Sequence, residues 1–115
     1  MLAAIDRYVD KRIDDVQSAA ATLGAQFMIL SGEYGLLNPS DPIPYYDHLL
    51  ISEEIAEHAS LVSQQLVDTG VHQITFFSVP AAADPYIEPY LACITNACTK
   101  AGVDIAVVYL PASYA

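Results

Sequence analysis

Residues 26–50 read QFMILSGEYGLLNPSDPIPYYDHLL, and this stretch decides the fold that the sequence predicts. It begins with a continuous apolar run, Phe27 to Leu30, which is typical of a strand covered on both faces. Ser31 and Gly32 follow at the carboxyl end of that strand, where parallel sheets bind their ligands. The loop beyond them contains three prolines, three tyrosines, three acids and one histidine. Proline stiffens a loop and rules out a helix, so this loop is preordered. A long and preordered loop is typical of a functional segment.

Amphipathic and continuously apolar segments alternate along the whole chain. Helical periodicity predicts helices at residues 2–23, 52–69 and 84–101, and apolar runs predict strands at about 26–30, 73–79 and 104–110. Ser52 and Asp84 are the predicted N-caps of the second and third helices. Strands that alternate with helices predict an α/β fold with a small parallel sheet of about three strands. We therefore expect residues 1–115 to form a single domain with three α/β/α layers.

Part of the loop resembles a known signature. The pattern Ser-Gly-x-Tyr-Gly-Leu-Leu-x-Pro-x-Asp-x-Ile-x-x-Tyr resembles that of the YaaA family of peroxide-stress proteins. It is similar in equal measure to a bacterial and phage family with an Ile-Leu-Ser-Ala-Lys-Tyr-Gly-Leu motif. The shared positions are Ser31, Gly32, Tyr34, Gly35, Leu36, Leu37, Pro39, Asp41, Ile43 and Tyr46. The resemblance implies a related α/β fold and is confined to this stretch.

Two positions of the loop depart from these families. Glu33 stands where the bacterial and phage family has lysine, and Asp47 stands where the YaaA family usually has arginine. Both differences remove positive charge, so the resemblance does not carry the DNA binding of YaaA proteins over to this chain. Both families also have a strand before the first helix, whereas this sequence starts at that helix. We expect that strand to lie outside the sequence, or a neighbouring subunit to cover the exposed edge.

Composition and charge restrict the classes of partner. The net charge is −10, with four cations against fourteen acids, which excludes nucleic-acid binding and opposes an anionic membrane surface. The apolar fraction of 54 % exceeds the usual ~45–50 %, yet no segment is long enough to span a membrane. We therefore expect the excess to form the interface of a homo-oligomer. Charged residues where a signal peptide would have an apolar core predict a cytoplasmic protein.

The loop supplies the candidate catalytic groups, which are Ser31, Glu33, Asp47 and His48. These residue types serve as nucleophile, general base and general acid in enzymes. Ser31 is either a nucleophile or a hydrogen-bonding partner of the loop backbone. The acids either provide a general base or belong to a solvated turn. Because no complete catalytic set is present, the sequence leaves open whether the protein is an enzyme.

The predicted ligand-binding residues are Ser31, Gly32, Tyr34, Tyr46 and Ser78. Glycine permits close approach of a ligand, tyrosine rings stack on planar molecules, and the two serines end successive strands. No phosphate loop or dinucleotide fingerprint is present, so the sequence names no cofactor.

The cysteines and the acids of the chain predict no metal site. Cys93 and Cys98 lack the spacing of a metal finger and are predicted to be buried thiols. A site built from Glu33, Asp47 and His48 lacks any recognised ligand spacing.

Two hypotheses of different class follow from these residues. In the first, the protein binds or processes a small nucleobase-like molecule at the carboxyl ends of the strands, and this ligand is neutral or cationic or brings a metal ion. In the second, it is a non-catalytic oligomeric domain, and its tyrosine- and proline-rich loop is an interface, because tyrosine is enriched at interfaces. Solvent access to the loop distinguishes the two hypotheses.

Overall fold

The computed structural model describes residues 2–3, 11–43, 48–78 and 84–109. These residues fall into two compact units, the first ending at His48 and the second beginning at Leu49. The first unit contains β1 (Leu2–Ala3), α1 (Lys11–Leu23), β2 (Ile29–Ser31), β3 (Gly35–Leu37) and β4 (Pro42–Ile43). The second contains α2 (Ile55–Thr69), β5 (Gln73–Ser78), α3 (Glu88–Ala101) and β6 (Asp104–Tyr109). Helices and a parallel pair of strands confirm the α/β class, and the three-layer arrangement and the single domain stay predictions.

The structure corrects the amino-terminal part of the first predicted helix. Helix α1 begins at Lys11 and ends at Leu23, before Gly24, as its periodicity predicts at that end. Leu2 and Ala3, however, lie in a short strand that pairs antiparallel with β4. The local periodicity of Leu2 is compatible with a helix, but hydrogen bonds to a distant strand decide its conformation. Residues 4–10 lie outside the described part of the chain.

The stretch that opens the sequence analysis forms an antiparallel hairpin. Strand β2 pairs with β3, so that Ile29 lies opposite Leu37 and Ser31 lies opposite Gly35. Gly35 has a φ of 73°, in the left-handed region that favours glycine, which lets the chain reverse within three residues. The predicted first strand therefore pairs antiparallel with the segment that directly follows it.

This hairpin has its own small apolar cluster. Ile29 and Leu37 are buried, and Phe27 and Tyr34 pack against them. Burial alternates along both strands, which distinguishes β2 from the doubly covered strand that its continuous apolar run predicts. The prediction of an irregular loop after Ser31 is wrong at Gly35–Leu37 and Pro42–Ile43, where the chain is extended and paired.

The second unit is a strand–helix–strand arrangement with a preceding helix. Strands β5 and β6 are parallel and in register from Gln73 opposite Asp104 to Ser78 opposite Tyr109. The predicted strands at 73–79 and 104–110 are thus confirmed at 73–78 and 104–109, and residues 79 and 110 lie outside the described part. Helix α2 packs closely on α3. The buried apolar residues of the two helices are Ala59, Val62 and Leu66 on α2 and Cys93, Ile94, Ala97 and Cys98 on α3, and Leu50 and Val103 are buried beyond the helices.

Both helices of this unit begin with a 3₁₀ turn. The Asp84 side chain accepts a hydrogen bond from the Tyr86 backbone N–H at 3.1 Å, which confirms Asp84 as a cap. The other predicted cap is wrong, because Ser52 lies inside the turn that precedes α2. There the Glu54 carboxylate accepts from the N–H of Ile51 at 3.2 Å instead. Glu54 lies three residues after Ile51, the spacing at which an acidic side chain reaches back to the N–H at the start of a helix.

Candidate functional site

Ser31 is the buried centre of the β2–β3 turn. Its side chain is 1 % exposed, and its Oγ accepts hydrogen bonds from the N–H groups of Glu33 and Tyr34, both at 3.1 Å. These contacts satisfy two backbone donors that the tight turn would otherwise leave without partners. Of the two interpretations of Ser31, hydrogen bonding to the loop backbone is the one that the structure shows. Ser31 therefore supports the turn on which Glu33 lies, and its role as a nucleophile stays a prediction.

The two glycines of the turn are buried with it. Gly32 follows Ser31 directly, and Gly35 closes the turn opposite Ser31. Both glycines belong to the framework of the hairpin, and the role of Gly32 in ligand binding stays a prediction.

Glu33 and His48 form an accessible polar pair in the first unit. Glu33 Oε2 lies 4.0 Å from His48 Nδ1, and both side chains remain partly exposed to solvent. At that distance the contact is an ion pair when the imidazole is protonated, since a hydrogen bond requires a closer approach. Fourteen residues lie between Glu33 and His48 in the sequence, yet their side chains approach each other. The contact closes the loop and joins two of the four predicted catalytic candidates.

A second turn stiffens the same loop further along. Asp41 Oδ2 accepts a hydrogen bond from the N–H of Asn38 at 2.8 Å, and the N–H of Asp41 donates to the carbonyl of Asn38 at 3.0 Å. The Asn38 amide oxygen in turn accepts from Gln26 Nε2 at 3.1 Å. Asp41 is therefore part of a structural turn, as its neighbouring prolines lead one to expect. This turn holds the chain between β3 and β4 in one conformation.

Tyr34 is the aromatic member of the site for which the structure gives a position. It is half-buried and packs against the Ile29–Leu37 cluster, with part of its surface left to solvent. It follows Glu33 in the sequence, on the turn whose backbone Ser31 holds. The other predicted members of the loop, Tyr46 and Asp47, lie outside the described residues, and their roles stay predictions.

Ser78 lies in the second unit, at the carboxyl end of β5. It is buried, and its register partner on β6 is Tyr109, which is 55 % exposed. The approach of Ser78 to Ser31 stays a prediction. Tyr109 was not among the predicted site residues. The predicted third strand runs to residue 110, so the register that brings Tyr109 beside Ser78 is known only from the structure.

The thiols and acids elsewhere form no second site in the described residues. Cys93 and Cys98 are buried on α3 and neither is in a disulfide, which confirms the predicted buried thiols. Burial raises the pKa of the Cys93 thiol to about 11 and also raises the pKa of Cys98. Both are protonated at neutral pH and are poor nucleophiles.

The described residues contain neither a cluster suited to a metal ion nor a helix able to cross a membrane. The residues of ranges 11–43, 48–78 and 84–109 contain no cluster of three or more His, Cys, Asp or Glu arranged to hold a metal ion. No helix within these ranges is both long enough and apolar enough to cross a membrane.

Comparison of the chain with known proteins finds no match to a family model, to a curated protein or to a solved structure.

Proposed function

We propose that the loop closed by Glu33 and His48 binds a small planar molecule with the hydrogen-bonding edge of a nucleobase. The observation that carries this proposal is the 4.0 Å approach of His48 Nδ1 to Glu33 Oε2 where both side chains are reachable from solvent. A carboxylate accepts hydrogen bonds from an exocyclic amino group, and an imidazole nitrogen donates or accepts one. An aminopurine or aminopyrimidine offers both kinds of group on one edge.

The surroundings of the pair support the same class of ligand. Tyr34 provides a partly exposed aromatic ring on the turn that carries Glu33, and such rings stack on planar heterocycles. Hydrogen bonds to Ser31 and Asp41 hold the two turns of the loop in place, which lowers the entropy lost on binding. The net charge of −10 and the Glu33 carboxylate repel phosphate, so the ligand is a base or nucleoside and not a nucleotide.

The same geometry supports a limited proposal about chemistry. If the bound molecule reacts, Glu33 and His48 are the described groups placed to move a proton, as general base and general acid. The burial of Ser31 argues against a covalent intermediate on its hydroxyl. Asp47, which neighbours His48 in the sequence, stays a candidate for the same proton transfers.

The proposal is tested by titrating isotope-labelled protein with adenine, cytosine and their nucleosides while chemical shifts are followed. Binding should perturb residues 31–34 and 48. Glu33→Gln should weaken it about tenfold or more, because a charge-assisted hydrogen bond contributes ~1.5–3 kcal/mol. Glu53→Gln, an equal change of charge at an exposed position of the second unit, is the matched control and should leave binding unchanged. Perturbations that cluster on α1 or α3, or equal losses in both variants, would contradict the proposal.

Association of copies of the chain is the second function that a specific observation favours. Large apolar side chains are exposed at Leu23, Leu49, Ile51, Leu61, Val67, Tyr86, Val107, Val108 and Tyr109. Apolar surface of this extent fits an interaction domain that forms a homo-oligomer. In the same alternative, the tyrosine- and proline-rich loop is the interface. Residues 44–47 of that loop lie outside the described part of the chain.

The remaining expectations belong to the same proposal. The parallel strands β5 and β6, with helix α3 between them in the sequence, support a three-layer α/β/α domain. The motif of residues 31–46 is what supports kinship with the YaaA family. The excess of acids over cations supports a protein that does not bind nucleic acid, and the cytoplasmic location stays a prediction.

A further inference from the structure

We propose that β6 is the contact surface for a second copy of this chain, and that the two β6 strands pair antiparallel about a twofold axis. The inference rests on the association proposed above and gives it a location. Strand β6 pairs with β5 along one edge, and no strand of the described residues pairs with its other edge. An open edge presents backbone N–H and C=O groups that recognise another strand.

Exposure distinguishes β6 from β5, whose outer edge likewise has no paired strand within the described residues. Val107, Val108 and Tyr109 are 36 %, 40 % and 55 % exposed, although adjacent residues of a strand point to opposite faces. On β5, by contrast, the register partners Phe76 and Phe77 are half-buried. The carboxyl half of β6 is therefore apolar and exposed on both faces, as expected of a strand that another chain covers.

Apart from Asp104 at its amino end, the residues of β6 carry none of the features that prevent edge pairing. The strand reads DIAVVY, in which β-branched and aromatic residues predominate. It contains no lysine, proline or glycine, which are the residues that natural proteins use to block an open edge. Such an edge either joins a specific partner or aggregates. A strand of the same composition is the partner that it fits best, because both then bury apolar side chains.

Charge selects a second copy and an antiparallel orientation. The chain has a net charge of −10, so two copies repel least through a surface with little charge, and Asp104 is the only charged residue of β6. Parallel pairing would place two Asp104 side chains side by side, at the ~5 Å spacing of neighbouring strands. Antiparallel pairing about the middle of the strand separates them by four to six residues, about 13–20 Å, which exceeds the screening length of ~8–10 Å.

Hydrogen-bond geometry places the axis at one of two residues. Backbone groups of successive residues point to alternate edges of a strand, and an antiparallel pair matches residues that point the same way. Two identical strands meet this condition only when the axis passes at a residue and not between residues. The residues at the middle of β6 are Ala106 and Val107. One of them faces its own copy across the axis.

Sedimentation velocity on the full chain tests the location. The unaltered chain should be a dimer, and Val107→Lys should raise the dissociation constant at least about tenfold, because it places two unpaired like charges near the axis. Val67→Lys makes the same substitution at an exposed position of α2 and should leave the dimer intact. Both variants lower the net negative charge, so general repulsion cannot explain a loss of association. Circular dichroism establishes that each variant is folded.

The outcomes separate the two proposals. An unaltered chain that stays monomeric at micromolar concentration overturns both the association and its location. A dimer that persists in Val107→Lys, or is lost equally in Val67→Lys, overturns the location alone.

Cross-linking of single-cysteine substitutions tests the orientation without relying on destabilisation. Under mild oxidation, Ala106→Cys or Val107→Cys should form a covalent dimer, since opposed residues of an antiparallel pair lie within disulfide distance. The control, Val67→Cys, should not, and the native Cys93 and Cys98 are buried. A chain that dimerises but cross-links at neither β6 position refutes antiparallel pairing.

Discussion

Replacing Ser31 with alanine removes the acceptor of two hydrogen bonds and tests how the candidate site is built. The Glu33 and Tyr34 N–H groups both donate to Ser31 Oγ at 3.1 Å, and the serine is 1 % exposed. A typical intramolecular hydrogen bond contributes about 0.5–1.5 kcal/mol, and a buried donor left without a partner costs about 1–3 kcal/mol. Solvent reaches Glu33 more easily than Ser31, so we expect the lower part of this range, about 2–3 kcal/mol in total.

The assay is urea unfolding of the first unit, combined with hydrogen exchange at the two amides. Ser31→Ala should lower the free energy of unfolding by this amount. Exchange at Glu33 and Tyr34 should accelerate about tenfold or more, because 1.4 kcal/mol corresponds to a factor of ten. Ser60→Ala is the matched control, because Ser60 is exposed on α2 and its hydroxyl bonds back to the carbonyl of Ala56. Its effect should stay within ~0.5 kcal/mol.

One result would refute this reasoning. If Ser31→Ala unfolds within ~0.5 kcal/mol of the unaltered chain and both amides keep their protection, the hydroxyl does not hold the turn. If stability falls but the amides keep their protection, the loss comes from packing around the buried side chain. In either case the placement of Glu33 opposite His48 would need another explanation.

Two further predictions concern the second unit. Leu66→Ala should destabilise it by about 3 kcal/mol, because Leu66 is buried between α2 and α3. Leu61 is exposed, so Leu61→Ala should lower the free energy of unfolding by less than ~1 kcal/mol. Thermal or urea unfolding measures both changes. Burial raises the pKa of Cys93 from 9.0 to about 11, so its contribution to stability is complete below pH 9 and is lost as pH rises through 11. Unfolding free energies measured across that interval should fall, and Cys93→Ala should lose part of the fall; an identical slope in the variant would contradict the assignment.

Local patterns predict α2, α3 and the parallel pair of strands. The spacing of apolar residues and the helix-ending Gly70 and Gly102 predict α2 and α3, whose chains end at those glycines with left-handed φ angles of 72° and 71°. Continuous runs of β-branched and aromatic residues bounded by glycine predict the strands that the structure shows at 73–78 and 104–109. The buried thiols followed from the absence of metal-ligand spacing.

The candidate site was predictable in place but not in arrangement. The sequence identified the Ser31–His48 loop, because prolines, tyrosines and acids concentrate there. It left open whether Ser31 reacts or supports the turn, since that depends on which N–H groups lie within hydrogen-bonding distance of its hydroxyl. It also could not predict that Glu33 contacts His48, because adjacency in space arises from how the intervening chain folds back.

The sequence alone determined the composition of this protein's elements: amphipathic helices, apolar strands, an acidic surface and one preordered loop. Those properties depend on residues three or four positions apart, which interact within a single element. Only the tertiary structure decided which strands pair. Ile29–Ser31 pairs with the segment directly after it, and Leu2–Ala3 pairs with Pro42–Ile43, although local periodicity favours a helix there. Backbone hydrogen bonds between strands are formed alike by nearly every residue type, so the choice of partner depends on the fold as a whole.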